Sequence, residues 1–365
     1  VWSRTRVDDG TSVPILLKRP PDIAGPMQDI AIEERSFGGE TSSEPIHFYR
    51  DIAVLAYRLP AIESSASQSV PDIRCSGGAI DGALLTDGSL SKSVTLSDPS
   101  DDAPVSIQFT YDTPQPIGAF TYAGPLPGRF TSGPSAVIEA SDDGSSWHTL
   151  AHFPGAAQTP APQRTLAFPI TRAKYFRVTF TKGPAMGDFP LPLAISELSP
   201  QRGGRVDDFE EKAGFGVLMA PTTVATPAYD DGVAIPGGDV IDLTDKLRPD
   251  GSLDWQPPKG SWEIVRMGYS PTGTKNHPAT PEVTGLEVDK MNATHVRGHL
   301  DAYMAPVLKA LEGQPGLKYL LTDSWEAGVQ NWTEDMVAEF RKRRGYDPTP
   351  WFPVLTGRIV ESPQA

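Results

Sequence analysis

The chain has 365 residues, of which 38% are hydrophobic, and carries a formal net charge of -14. That length has room for about two domains, and the acidic balance argues against nucleic acid or an anionic membrane as partner, since both are bound by clustered positive charge. No apolar run reaches the roughly 18–20 residues of a membrane span, and one cysteine, Cys75, leaves neither an internal disulfide nor a thiolate metal cluster.

Residues 1–70 offer two extended runs, Val13 to Lys18 and Ile52 to Tyr57, with Pro-rich and acidic connections. The Ser-rich stretch Glu63 to Val70 reads as a linker. From Pro71 to Gln201 the texture changes to short strands punctuated by turn residues, without a helical period, which is the pattern of an all-β sandwich. Its clearest strands are Val105 to Phe109, Ala136 to Ser141 and Tyr175 to Phe180. Asp142-Asp143-Gly144 supplies a tight turn, and Trp147 follows it to pack.

Residues 202–365 take on α/β character. Asp239 to Asp245 and Trp262 to Tyr269 read as strands, the latter setting Trp262, Ile264 and Arg266 against Val265 and Met267, with a Pro249-Asp250-Gly251 turn between the two. Thr294 is placed to cap a helix whose apolar residues, from Val296 through Leu300, Tyr303 and Val307 to Leu311, share one face. Pro306 predicts a kink or break in it, and Gly313 its end. Thr333 caps a second helix, with Glu334 and Asp335 in its first turn and Arg341 to Arg344 near its end, the order a helix dipole favours. That basic run is a solvated helix end rather than a nucleic-acid patch.

Between the two helices lies a short apolar run, Leu317 to Thr322, that suits a parallel strand buried on both faces and ends in Asp323-Ser324-Trp325-Glu326. Helix, strand, helix with short loops is a (β/α)8 barrel rhythm, and the carboxyl ends of barrel strands are where chemistry collects. An open doubly wound sheet would show a Gly-rich phosphate loop, and Gly232 to Gly238 is too loosely spaced to be one.

Cleavage of a glycosidic bond generally needs two carboxyl groups. Asp323 and Glu326 stand three apart, on opposite sides of an extended segment, so they do not make the pair themselves. Trp325 offers an apolar wall that would raise a neighbouring carboxyl pKa, as a general acid requires. Asp323 then shapes the pocket or caps backbone amides, and Glu326 acts chemically or is an ordinary loop carboxylate. A second constellation follows the Trp262 to Tyr269 strand: Asn276 and His277 in a polar loop, then Thr284 to Lys290. Glu287 and Asp289 point the same way if extended, which suits a hard-cation site, a cluster binding sugar hydroxyls, or ion pairs with Lys290 or Arg297. Six histidines without metal spacing argue against zinc.

Several runs now line up in order: Gly260-Ser261-Trp262-Glu263-Ile264-Val265-Arg266-Met267-Gly268-Tyr269, Thr284 to Lys290, Asp323 to Gly328 with Asn331-Trp332-Thr333, and Phe340 to Pro348. Together with Val1-Trp2-Ser3 and Tyr49 to Ala56, they resemble glycoside hydrolase family 106, the α-L-rhamnosidases. The resemblance implies a partial (β/α)8 TIM-like catalytic barrel over residues 1–70 and 202–365, removal of terminal α-L-rhamnose with inversion, and calcium in the active site. It implies Glu326 as general acid; with the residue reading above, Asp323, Trp325, Asn276, His277, Glu287 and Asp289 are the expected substrate contacts, Glu287 and Asp289 meeting sugar or calcium. The general base is expected on a strand beyond Ala365, so the chain is expected to be an inactive internal fragment of a larger, secreted or periplasmic bacterial enzyme. Residues 71–201 form an insertion that resembles the galactose-binding-like, discoidin-like jelly roll, through Leu84 to Gly88, Glu139 to Trp147, Ala173 to Val178 and Ile195 to Leu198. It is either a spacer or a sugar binder. A non-catalytic carbohydrate-binding protein and a glycosidase of another specificity stand as alternatives.

Overall fold

A computed structural model of the chain describes residues 1–22, 46–64, 69–124, 131–153, 163–215, 225–230, 232–276, 280–314, 316–321 and 330–363. Sequence-distant segments build one antiparallel sheet. The Trp262–Tyr269 strand runs between Trp2–Val7 and Arg50–Arg58, and Ile241–Asp242 completes the other edge. Alternation along Trp262–Tyr269 is as its sequence predicts. Trp262 and Ile264 join Val7, Val54, Ala56, Leu253 and Trp255 in one core, whereas Val265 and Met267 join Trp2, Leu55, Tyr57, Phe209 and Phe352 in another. The sheet is therefore buried on both faces, and Arg266, on the first, is neutralised by a forked pair of bonds to Asp51 at 2.7 and 2.8 Å.

Residues 73–198 supply a third core of their own. Two long strands, Val105–Ala123 and Gln163–Lys182, lie antiparallel, with register shifts after Ala167 and Ala173 that bend the pair. Ser135–Ser141 and His148–Phe153 extend the sheet on one side. Asp72–Cys75 and Glu197–Arg202 share the far side of Val105–Ala123. Val105, Ile107, Phe109 and Tyr111 are buried and their neighbours only half so, the period-2 signature of a sheet with one face in a core. The turn predicted at Asp142 to Gly144 is present: Asp143 Oδ1 accepts from the Ser145 and Ser146 amides, each at 2.7 Å, and Gly144 takes φ 76°. Trp147 packs on the Arg177 guanidinium, 4.0 Å from ring centroid to Cζ.

The insertion leaves and rejoins the body at nearly one place. Glu63, expected in a linker, is buried; Arg205 Nη1 and Nη2 donate to its two carboxylate oxygens at 2.7 and 2.9 Å. Arg358 Nη1 reaches Glu63 at 2.5 Å while its Nη2 donates to Glu263 at 2.8 Å, and the Tyr57 hydroxyl donates to Glu263 as well. Gly118 is obligatory at this junction, because a Cβ there would stand 2.4 Å from the Gly203 carbonyl oxygen. The correction at Glu63 has a simple cause: a lone carboxylate in a serine-rich stretch looks solvated until its distant arginines are known.

Other expectations over residues 202–365 are also revised. Asp239 to Asp245 is a strand only at Ile241–Asp242, flanked by 3-10 turns at Gly237–Asp239 and Thr244–Lys246, and Val13 to Lys18 shrinks to Ile15–Leu16. The first helix, Ala293–Leu311, is capped by Asn292, whose Oδ1 accepts from the Thr294 and His295 amides, so the cap lies before Thr294. It runs unbroken through Pro306 and buries none of its residues. Leu317 to Leu321 is irregular and open to solvent, with Tyr319 and Leu321 88% and 92% exposed, in place of the expected buried strand. Thr333 does not cap the second helix, Met336–Arg344; its side chain is engaged elsewhere. The helix does end as predicted, with Arg341 to Arg344 before Gly345 at φ 80°. Among the described residues the strands of this part pair antiparallel, and no closed barrel is formed.

Candidate functional site

A cleft of about 1400 Å³ opens beyond Met267-Gly268-Tyr269, at the end of the central strand. Gly268 lets the neighbouring strand approach closely there, since a Cβ would come within 2.4 Å of the Arg50 carbonyl oxygen. One wall is apolar and comes from Trp2, Phe215, Met267, Trp332, Trp351 and Phe352. Trp332 and Phe352 meet edge to face with centroids 5.6 Å apart, and Phe215 packs on Trp2 at 5.3 Å.

The polar part of the lining is held by a folded-back loop. Thr274 and Asn276 exchange backbone bonds with Glu287 and Gly285, and the Asn276 side chain clamps the same loop, accepting from the Gly285 amide at 2.7 Å and donating to the Val283 carbonyl at 3.1 Å. Asn276 is thus spent on backbone. Glu287 and Asp289 both line the cleft. Glu287 accepts from Lys290 Nζ at 2.5 Å, the ion pair foreseen as one of its roles, and Asp289 accepts the Thr333 hydroxyl at 2.7 Å and the Met291 amide at 2.9 Å.

Four further polar residues of the lining, Arg50, His295, Gln330 and Glu334, were not singled out as site residues from the sequence. Glu334 Oε1 lies 3.2 Å from His295 Nε2, its other oxygen lies 3.7 Å from Arg50, and Gln330 bridges the Lys290 amide and the Val288 carbonyl at 3.1 Å each. Glu334 and Thr333 follow the Asn331-Trp332 motif directly, but each reads locally as a helix-start residue. Asp323, Trp325, Glu326 and His277 lie outside the described residues.

Calcium takes six to eight oxygen ligands. Glu287 pairs with a lysine ammonium and Asp289 has one hydrogen bond on each oxygen, so these two bring at most part of such a set. Among the described residues no group of three or more His, Cys, Asp or Glu is disposed to hold a metal. What the cleft does offer is carboxylate acceptors and cationic or imidazole donors facing aromatic rings. Hydroxyl groups can meet the first and the C–H faces of a ring the second, which is the chemistry of carbohydrate recognition.

Comparison with known proteins agrees with that class. The model of the glycoside hydrolase 106 family, described as alpha-L-rhamnosidase, matches residues 1–365, and the chain belongs to that family. A solved rhamnosidase from Novosphingobium sp. PP1Y superposes on all of this chain with a TM-score of 0.80 at 32% identity. The chain spans 32% of that protein's length. A protein of Formosa agariphila provisionally named as a beta-glucuronidase is 37% identical over 165 residues, which is 45% of this chain and 14% of that protein.

Proposed function

We propose that the chain serves the hydrolysis of terminal α-L-rhamnosides with inversion of configuration, and that the cleft is where the sugar is held. Membership of the rhamnosidase family over the full 365 residues carries the reading, and the amphipathic cleft is consistent with it. In this reading Glu287, Asp289, Glu334 and His295 meet sugar hydroxyls while Trp332 and Trp351 meet its apolar face. Glu326 protonates the leaving oxygen, Asp323 and Trp325 shape its surroundings, and a second carboxylate roughly 6.5–9.5 Å away activates water. Gln330, close behind Glu326 in sequence, already lines the cleft.

The test is hydrolysis of an aryl α-L-rhamnoside by the complete protein, compared with its Glu326→Gln variant. Release of β-L-rhamnose by the parent and loss of about 100-fold or more in the variant support the reading, on the usual worth of a general acid. Unchanged activity in the variant overturns the role of Glu326. The Formosa agariphila relative favours a second reading, action on a β-glucuronide. An aryl β-D-glucuronide run in parallel separates the two.

A further inference from the structure

The sandwich meets the segment beside the cleft through buried contacts of residues 207–210, which include a backbone bond from Asp208 N to the Thr165 carbonyl at 2.8 Å and the carboxylates of Asp207 and Glu210. The near end of the Gln163–Lys182 strand is paired on one side by Val105–Ala123, whereas Ser135–Ser141 joins it only from Tyr175 onward. On its other side two backbone amides meet carboxylates instead of a strand: Thr165 N donates to Glu210 Oε2 at 3.0 Å and Ala167 N to Asp207 Oδ1 at 2.9 Å. Glu210 Oε1 also accepts the Thr165 hydroxyl at 2.7 Å and Gln163 Nε2 at 3.2 Å. Its residue exposure is 0%, so the side chain is wholly committed to the sandwich.

The main chain of the same residue faces the other way. Its carbonyl accepts from the Phe215 amide at 2.8 Å, and Phe215 is the residue that packs on Trp2 in the cleft wall. Asn331 Nδ2 donates to the Ala213 carbonyl at 2.9 Å. Residues 213–215 are therefore held by backbone bonds to Phe209, Glu211 and Glu210, the short helix that Glu210 anchors to the sandwich, and by Asn331.

We infer that Glu210 is a positioning residue, through which the inserted sandwich fixes the 213–215 wall and so the shape of the cleft. The part of this inference that concerns sugar rests on the reading of the cleft as a rhamnoside site. It gives the sandwich a task that is neither spacing nor sugar capture: an insertion far along the sequence braces the wall against which the ligand packs.

The test is amide hydrogen exchange on the full chain, followed by mass spectrometry, for Glu210→Ala, Glu210→Gln and Thr165→Val. Glu210→Ala and Thr165→Val are expected to speed exchange about tenfold or more at 213–215 as well as at 163–167, with the Trp262–Tyr269 strand unaffected. Glu210→Gln restores protection, since its amide oxygen still accepts from Thr165 N. Thr121→Val, which removes the other hydroxyl near Thr165, 3.1 Å away, is the control and leaves 213–215 as they were. Faster exchange confined to 163–167 overturns the inference. Should Glu210→Ala fail to fold, Thr165→Val decides it from the sandwich side alone.

Equilibrium binding of methyl α-L-rhamnoside is the second readout, expected to weaken about fivefold in Thr165→Val and to recover in Glu210→Gln. If the parent chain binds no rhamnoside, the sugar reading falls and the exchange data still decide the coupling. If the parent binds and Thr165→Val binds equally well, the claim that Glu210 shapes the cleft is overturned.

Discussion

Arg358 and Glu63 stand 295 residues apart in sequence and 2.5 Å apart in the structure, both buried. Arg358 holds Glu263 with its remaining nitrogens, at 3.2 and 2.8 Å, so one guanidinium ties the point where the insertion departs to the central strand of the body. A buried ion network of this kind is costly to desolvate and persists only when every member is bonded. Its value is in geometry: a planar fork with five donors fixes two carboxylates at once.

Arg358→Met should remove about 3–5 kcal/mol of stability, because it strands Glu63 and Glu263 with fewer counter-charges in a dry interior. Urea unfolding at neutral pH measures it. Arg358→Lys should recover only part of the loss, since an ammonium cannot make the forked contacts. A variant within experimental error of the parent would mean that Arg205 beside Glu63, and Arg4 at 3.9 Å from Glu263, already suffice.

Stability should pass through a maximum in mildly acid solution. Burial opposes ionisation of Glu63, but Arg205 and Arg358 outweigh it and hold its pKa at about 2, below the ordinary 4.5. Its contribution is therefore complete above the unfolded value and is lost as pH falls toward 2. Burial pushes Glu197 and Glu210 the other way, from 4.5 up to about 7, so what they contribute is complete below 4.5 and disappears as pH rises through 7. Denaturation midpoints measured from about pH 3 to 8 should rise and then fall, and Glu210→Gln should flatten the upper limb. A midpoint that climbs steadily to pH 8 contradicts this.

Thr333→Val removes the hydroxyl that Asp289 accepts and leaves that carboxylate one donor short. A cost of about 1–2 kcal/mol is expected. Because Asp289 and Thr333 both line the cleft, methyl α-L-rhamnoside should also bind more weakly, as titration calorimetry would show. Unaltered affinity would relegate the pair to holding the loop.

Trp147→Ala should loosen the sandwich by about 1–2 kcal/mol, through lost contact with the Arg177 guanidinium. Rhamnoside affinity should not change if this tryptophan packs rather than recognises. A marked loss of affinity would give the sandwich a sugar site of its own.

What could be read from the sequence was what local pattern decides. Trp262–Tyr269 was legible residue by residue, because alternation alone separates its two faces. The sandwich strands were equally plain in Val105 to Phe109, and the extent of Ala293–Leu311 followed from its spacing and from the stop at Gly313. The misreadings concern residues whose partners lie far away. Glu63 looked like linker and Thr333 like a cap, and each instead serves a residue at least 44 positions distant. The apolar runs at Val296 to Leu311 and Leu317 to Leu321 predicted burial, which pattern can propose and only packing partners can supply.

The side-by-side anchorage of Glu63 and Arg205 bears on how such a molecule can be rebuilt. A segment whose exit and re-entry share one anchor is topologically a pendant, and the sheet beneath it need not be rerouted to lengthen, trim or exchange it. The freedom has a boundary. Any substitute must meet Glu210 with donors placed like those of Gln163 and Thr165, or it will hang from the body without bracing it.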